Sequence, residues 1–217
     1  MALAKSRLSK GTIAFLLHPS EKLRSQKAID LLSGLVRFGL SLEKTDVQES
    51  LFLMKILYLV RHAKSGWGDY DQVDHERTLA DRGQKDALQM GKELAEQNVT
   101  PQLIMSSSAV RAKTTAEVIA SEIGYDQSQI LVSEDIFQAE VETLLELVQG
   151  VEGGLDKIML VGHNPAITDF LNGLTQCGVD NVPTCGVAVI GFRVDHWSDI
   201  REGSGNLLLF TYPKKLG

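Results

Sequence analysis

From residue 55 onward, apolar positions fall into short continuous runs separated by stretches in which they recur every three or four residues. The runs at 55–60, "LIMSS" (103–107), "QILV" (129–132), "KIMLVG" (157–162), "VAVIGFRV" (187–194) and "NLLLFTY" (206–212) predict strands. The longer periodic stretches predict helices over 80–97, with Ala87, Gly91, Leu94 and Ala95 on one side, and over 109–123, ended by Gly124. Further helices are predicted over Val141–Gln149 and from Pro165 to about residue 174. Strands alternating with helices of this length imply an α/β fold of three layers, a mainly parallel sheet with helices on both faces. No internal repeat or low-complexity segment is visible, and the turn-rich "CGVDNVPTCG" (177–186) reads as an ordinary connection.

Residues 1–53 behave differently. They hold eight Lys/Arg against five Asp/Glu, whereas the remainder holds fourteen against twenty-three. Before Glu21 there is no acidic residue, a pattern shared with organelle transit segments. The simpler expectation is an upstream start, because Met54 directly precedes the first clear strand. The chain is thus expected to divide into an amino-terminal extension (1–53) and one domain (54–217). Within the extension, Ile29, Leu32, Val36 and Leu40 lie near one face of a possible short helix over 25–40.

Charge and cysteine content exclude several classes of function. A net charge of −6 argues against nucleic acid or an anionic membrane as the main partner. The two cysteines, Cys177 and Cys185, have no metal-like spacing, so a reducing, cytoplasmic setting is expected. No run approaches the roughly 18 apolar residues of a spanning helix, so a soluble protein is expected.

Open α/β sheets bind ligands beyond the carboxyl ends of their strands. There the sequence is unusual. The first strand, "ILYLV", delivers Arg61 and His62; the second ends in Ser106–Ser107–Ser108 with Arg111 just beyond; the fourth ends in Gly162–His163–Asn164–Pro165. Asn164 suits an N-cap and Pro165 a first helical position, which sets His163 before a helix start. Ser108 as a cap would make Arg111 the third helical residue, where a cation opposes the helix dipole unless an anion lies in front. Helix starts, arginine forks and histidines together suit a phosphoryl group.

Taken singly, each of these residues has a plain structural explanation as a solvated strand end or a hydrogen-bonded turn. Four of them at three strand ends favour a site. Zinc held by His62, His75 and His163 is less well supported, since neither His-x-His nor HExxH spacing occurs. A serine triad lacks the G-x-S-x-G elbow.

"LVRHAKSGW" (59–67), "SSSAVRAKTTAEVIA" (106–120) and "VGHNPAITDFL" (161–171) resemble the three signatures of the histidine phosphatase superfamily, the relatives of phosphoglycerate mutase. With "HERTLADRGQKDA" (75–87) and the carboxyl-terminal stretch, residues 54–217 more narrowly resemble the SixA-type phosphohistidine phosphatases. That subfamily usually has Pro at the position of Thr78. The resemblance implies His62 as the nucleophile, attacking phosphorus to form a phosphohistidine intermediate, with its other nitrogen fixed by a backbone carbonyl. Arg61 and Arg111 would hold the phosphoryl oxygens, and His163 would donate to one of them. Ser65, Arg77 and Arg82 would line the rim, with Ser65 a further phosphate contact. Larger members carry their acid on an inserted segment; here Glu134, Asp135 and Glu140 are available, and Glu140 is preferred. No metal and no organic cofactor are implied.

The leading expectation is a phosphatase of protein phosphohistidine acting on phosphorelay domains. The second is a phosphatase of small phosphate esters or other phosphoproteins, and the third a non-catalytic phosphate-binding module. A chain beginning at Met54 is expected to fold and turn over substrate like the full chain. Comparing melting temperature and turnover of the two checks this, and a large loss on truncation would show that residues 1–53 contribute.

Overall fold

In β1 (Lys55–Arg61), Ile56, Tyr58 and Val60 point to one face and Leu57 and Leu59 to the other, and all five are buried. A strand covered on both faces reads as a continuous apolar run, which is why "ILYLV" does not alternate with polar residues. The structure, a computed structural model, describes residues 54–66 and 73–216. The expected helix over 25–40 and the boundary at residue 53 fall outside the described residues.

The other strands are β2 (Leu103–Ser107), β3 (Leu131–Ser133), β4 (Lys157–Gly162), β5 (Val187–Phe192) and β6 (Gly205–Thr211). They form one six-stranded sheet in the order β3-β2-β4-β1-β5-β6. The first four in that order are parallel neighbours; β5 runs antiparallel to both β1 and β6. The helices are α1 (Asp81–Glu96), α2 (Val110–Ile123), α3 (Val141–Gln149) and α4 (Ala166–Thr175). Ala87, Met90 and Leu94 of α1 and Ala112, Ala116 and Ile119 of α2 pack with Ile56, Tyr58, Val60, Met159 and Val161 on one face. Leu144 and Val148 of α3 and Ile167, Phe170 and Leu171 of α4 cover Leu57, Leu59, Ile158 and Leu160 on the other. This is the expected three-layer, mainly parallel α/β fold. Among the described residues, no helix is long and apolar enough to cross a membrane.

Two strands differ from the sequence reading. The strand expected over 129–132 begins at Leu131, because Gln127–Gln129 form a single 3-10 turn in which Asp126 Oδ1 accepts from the Ser128 N–H. The fifth strand stops at Phe192, short of the expected Val194.

The approach of α1 to the loop after β1 depends on Gly83. A Cβ there would sit 2.0 Å from the Lys64 carbonyl oxygen. That same carbonyl accepts from the Ala80 N–H at 2.9 Å, so the loop cannot retreat without breaking the bond that starts the helix. Gly173 in α4 is the contrast, since nothing lies within 4 Å of its missing Cβ. Gly83→Ala is therefore expected to destabilise by about 1–3 kcal/mol through overpacking, in excess of its helix-propensity gain. Gly173→Ala should gain several tenths to about 1 kcal/mol. Urea denaturation of the two variants checks this reversal of sign.

Candidate active site

The parallel registers set the ends of three strands level. Arg61 of β1 lies opposite Gly162 of β4, and Ser106 of β2 opposite Val161. The residues that follow, His62, His163 and Ser107–Ser108, therefore share one edge. His62 is 8% exposed. Its N–H donates to Gly162 O (3.0 Å), and its carbonyl accepts from the Cys185 N–H (3.1 Å). His62 Nδ1 lies 2.7 Å from Ala63 O. A carbonyl only accepts, so Nδ1 carries the proton and the Nε2 lone pair is left for chemistry.

The His163 ring lies 4.9 Å from that of His62, tilted by 52°. Ser107 Oγ is 2.8 Å from His163 Nε2 and accepts from the Ala109 N–H at 3.2 Å. In the tautomer that carries its proton on Nδ1, His163 accepts the Ser107 hydroxyl hydrogen at Nε2 and keeps an N–H for a ligand. His163 Nδ1 and Arg61 Nε are buried without a partner among the described residues. Two unpaired buried donors are costly unless an acceptor takes them, and a phosphoryl group offers three oxygens.

Arg61 Nη1 donates to Val182 O (2.7 Å) and more weakly to Asn181 Oδ1 (3.4 Å). Arg111 is buried and donates to the backbone carbonyl and to Oδ2 of Asp74, the latter at 2.8 Å. Asp74 also accepts from Arg77 Nη1 (2.9 Å), while Arg77 reaches Ser65 Oγ (2.8 Å) and Gly66 O (3.2 Å). Burial opposes ionisation of Asp74, but the hydrogen bonds from Arg77 and Arg111 outweigh it and hold the carboxyl below its ordinary value. Ser65 is thus buried at the site's margin and occupied by Arg77. Arg82, expected at the rim, pairs along its own helix with Asp86. Thr78 contributes its carbonyl to the Gly66 N–H (3.2 Å), a bond that Pro would make equally well.

Three expectations need correction. Ala109, not Ser108, is the N-cap of α2, and Arg111 is its second residue. Ser107 Oγ takes the Ala109 N–H, which frees Ser108 Oγ to bond His75 Nε2 at 2.8 Å. The cap of α4 is Pro165; Asn164 Nδ2 instead donates to Asn181 Oδ1 (2.8 Å) and Val182 O (3.2 Å). The 177–186 stretch is consequently more than a connection. Because β5 runs antiparallel beside β1, its amino end returns to the site and supplies the acceptors for Arg61 and Asn164.

Glu140, the preferred acid, is exposed at the N-cap of α3 and makes no side-chain cap bond. Asp135 accepts from Ser133 Oγ (3.2 Å), and Glu134 lies 3.6 Å from His75 Nε2. Sequence reasoning missed Asp74, which lies in a polar stretch without a pattern, and Phe137, whose ring meets that of His163 T-shaped (centroids 5.7 Å apart) with the Arg111 guanidinium 5.9 Å from its ring centre. It also missed Thr115. Buried one turn after Arg111, Thr115 donates to Arg111 O (2.7 Å) and accepts from the Ala63 N–H (3.0 Å), tying the His62 loop to α2. Its spacing from Arg111 is the signal that could have found it. Among the described residues, no three His, Cys, Asp or Glu are grouped to hold a metal ion.

Burial pushes His62 down to about 4, helped by Arg111 and Arg61 and opposed by the Ala63 carbonyl. Burial likewise pushes His163 down to about 3, with His62 and Arg111 adding to it. Both imidazoles are therefore neutral at pH 7. Two neutral rings thus lie side by side near two guanidinium groups.

A mainly parallel α/β sheet that presents two neutral histidines and two arginines at its strand ends has the donors and the charge to hold a phosphoryl group. Residues 57–136 match the histidine phosphatase superfamily (branch 1). It is similar to a SixA protein of Agrobacterium tumefaciens, a candidate phosphohistidine phosphatase, at 28% identity and a TM-score of 0.63, over 73% of this chain and 98% of that one. An uncharacterized Mycobacterium leprae protein is 26% identical over 167 residues, 71% of this chain and 100% of its own length. The mitochondrial serine/threonine-protein phosphatase Pgam5 of Drosophila ananassae is 32% identical over 95 residues, 44% of this chain and 31% of the relative. Family and fold support phosphatase activity.

The depressed histidines carry a linkage consequence. The unfolded chain takes up these protons near the ordinary value of about 6.5, the folded protein only near 4 and below. Their contribution to stability is thus complete above about pH 6.5 and lost as pH falls toward 4, with a limiting slope of about 1.4 kcal/mol per pH unit per proton. Because the rings are in contact, protonation of one opposes the other. Denaturation free energies measured across this window should fall for the native chain and flatten when His62→Gln and His163→Gln are combined.

Proposed function

We propose that this protein removes phosphate from protein phosphohistidine through a covalent intermediate on His62. In this reading His62 Nε2 attacks phosphorus, Arg61 and Arg111 hold the equatorial oxygens, and His163 Nδ1–H donates to one of them as charge spreads. Water then hydrolyses the phosphohistidine. Ser65 belongs to the phosphate-facing margin through Arg77.

The state of the carboxylates carries the choice of substrate. Asp74, which bonds both Arg77 and Arg111, is held ionised and so is a poor proton donor. Glu134 and Glu140 are exposed. A phosphate ester needs a proton for its departing alkoxide, help worth about 10²–10⁴-fold. An imidazole departs with much less assistance, which suits a site without a committed carboxylic acid. Likeness to the Agrobacterium SixA protein supports the same reading, and a phosphorylated phosphorelay domain is the partner it implies. A second reading, hydrolysis of protein phosphate esters, is favoured by the likeness to Pgam5.

The test is a side-by-side assay on phosphohistidine protein, aryl phosphates and alkyl phosphates. Turnover should decline in that order, and quenching without acid should trap an acid-labile phosphoryl adduct on the peptide containing His62. Normal turnover by His62→Ala would overturn the mechanism. Efficient hydrolysis of a phosphoserine or phosphothreonine protein with inert phosphohistidine would promote the second reading.

A further inference from the structure

In the sequence His75 stands out only as a weak candidate zinc ligand. The geometry points to a different use: we infer that His75, backed by Glu134, is the proton carrier for the leaving group. The inference rests on phosphoryl transfer to His62.

Four observations converge on it. His75 is adjacent to Asp74, whose carbonyl and carboxylate bind Arg111, so it stands at the arginine that would hold the phosphoryl group. The His75 and Phe137 rings meet T-shaped with centroids 4.9 Å apart, and Phe137 and His163 meet likewise at 5.7 Å. His75 is therefore one aromatic contact away from buried His163. At Nε2 the imidazole is held by Ser108 Oγ (2.8 Å) and faces Glu134 Oε1 (3.6 Å), while Nδ1 makes no hydrogen bond among the described residues. The His75 side chain is 31% exposed and that of Glu134 74%, so both have access to water and can be recharged with protons.

This is a carboxylate–imidazole pair with one ring nitrogen anchored and the other available, beside a site whose own carboxylate is committed to two arginines. As the imidazolium, His75 keeps its Nε2 proton directed to Ser108 Oγ, with the Glu134 carboxylate 3.6 Å away to balance the charge, and gives its Nδ1 proton to the leaving oxygen or nitrogen. The bond between phosphorus and that leaving atom breaks as the bond to His62 Nε2 forms. When water attacks the phosphohistidine, His75 Nδ1 takes the water's proton, the phosphorus–Nε2 bond breaks and phosphate leaves. The imidazolium is thereby restored.

A proton donor is recognised by its dependence on the leaving group. The experiment compares 4-nitrophenyl phosphate with phenyl phosphate, whose leaving phenol resembles the Tyr side chain with a pKa of about 10. His75→Ala should lower kcat/KM for phenyl phosphate about 10²-fold and for 4-nitrophenyl phosphate less than tenfold. Glu134→Gln should shift the ratio in the same sense by less. Ser108→Ala, which removes the anchor but not the imidazole, should shift the ratio in the same sense by less than His75→Ala does. If His75→Ala fails to fold, His75→Gln, which keeps a partner for Ser108 but cannot carry the proton, answers the same question. Equal losses on both substrates in His75→Ala would overturn the inference. Absence of any His62 adduct in the native protein would instead overturn the reading on which it rests.

Discussion

The in-register parallel pairing of β2, β4 and β1 is the constraint from which the site follows. With Arg61 opposite Gly162 and Ser106 opposite Val161, three chain segments leave the sheet at the same level. Had β1 slipped by one residue against β4, its side chains would exchange faces and His62 would leave its bond to the Gly162 carbonyl. Gly162 is suited to this place because α4 packs hard against the strand end: a Cβ there would lie 3.1 Å from the Ile167 side chain. The close helix is what sets His163 against His62 rather than farther along a loop.

Burial then decides the chemistry of the groups brought together. Two imidazoles beside two guanidinium groups would repel strongly if protonated, and desolvation removes that possibility at neutral pH. The surplus of positive charge is met in part by Asp74, a single carboxylate shared between Arg77 and Arg111. A phosphoryl group carries more charge and more acceptor oxygens than a carboxylate, so it competes for Arg111 on favourable terms.

Much of this was legible in the sequence. Unbroken apolar runs over 55–60 and 157–162 marked the central strands, and the abrupt change to Arg61–His62 and His163 marked their ends. The antiparallel placement of β5 was not legible, because its alternation is the same in either direction, and with it went the role of Asn181 and Val182. The caps were misassigned for a related reason. Ser107 and Ser108 are equivalent as sequence, and only the neighbouring strand decides that one faces His163 and the other His75. Asp74 gave no signal, since its partners lie 3 and 37 residues away and only the second is diagnostic.

His62 is held almost wholly by main-chain atoms. Its amide, its carbonyl and its Nδ1 are bonded to the backbone of Gly162, Cys185 and Ala63, and the preceding Arg61 amide to Gly186 O. Ala63 and Cys185 supply their main-chain groups whatever side chain they carry, whereas Gly162 and Gly186 leave little room for a Cβ. The His62 ring is therefore set by backbone geometry, while the nearby side chains of Asp74, His75, Arg77, Glu134 and Phe137 are open to exchange. On the proposed function, a lineage built on this fold can exchange one clientele of phosphorylated molecules for another while His62 stays as it is.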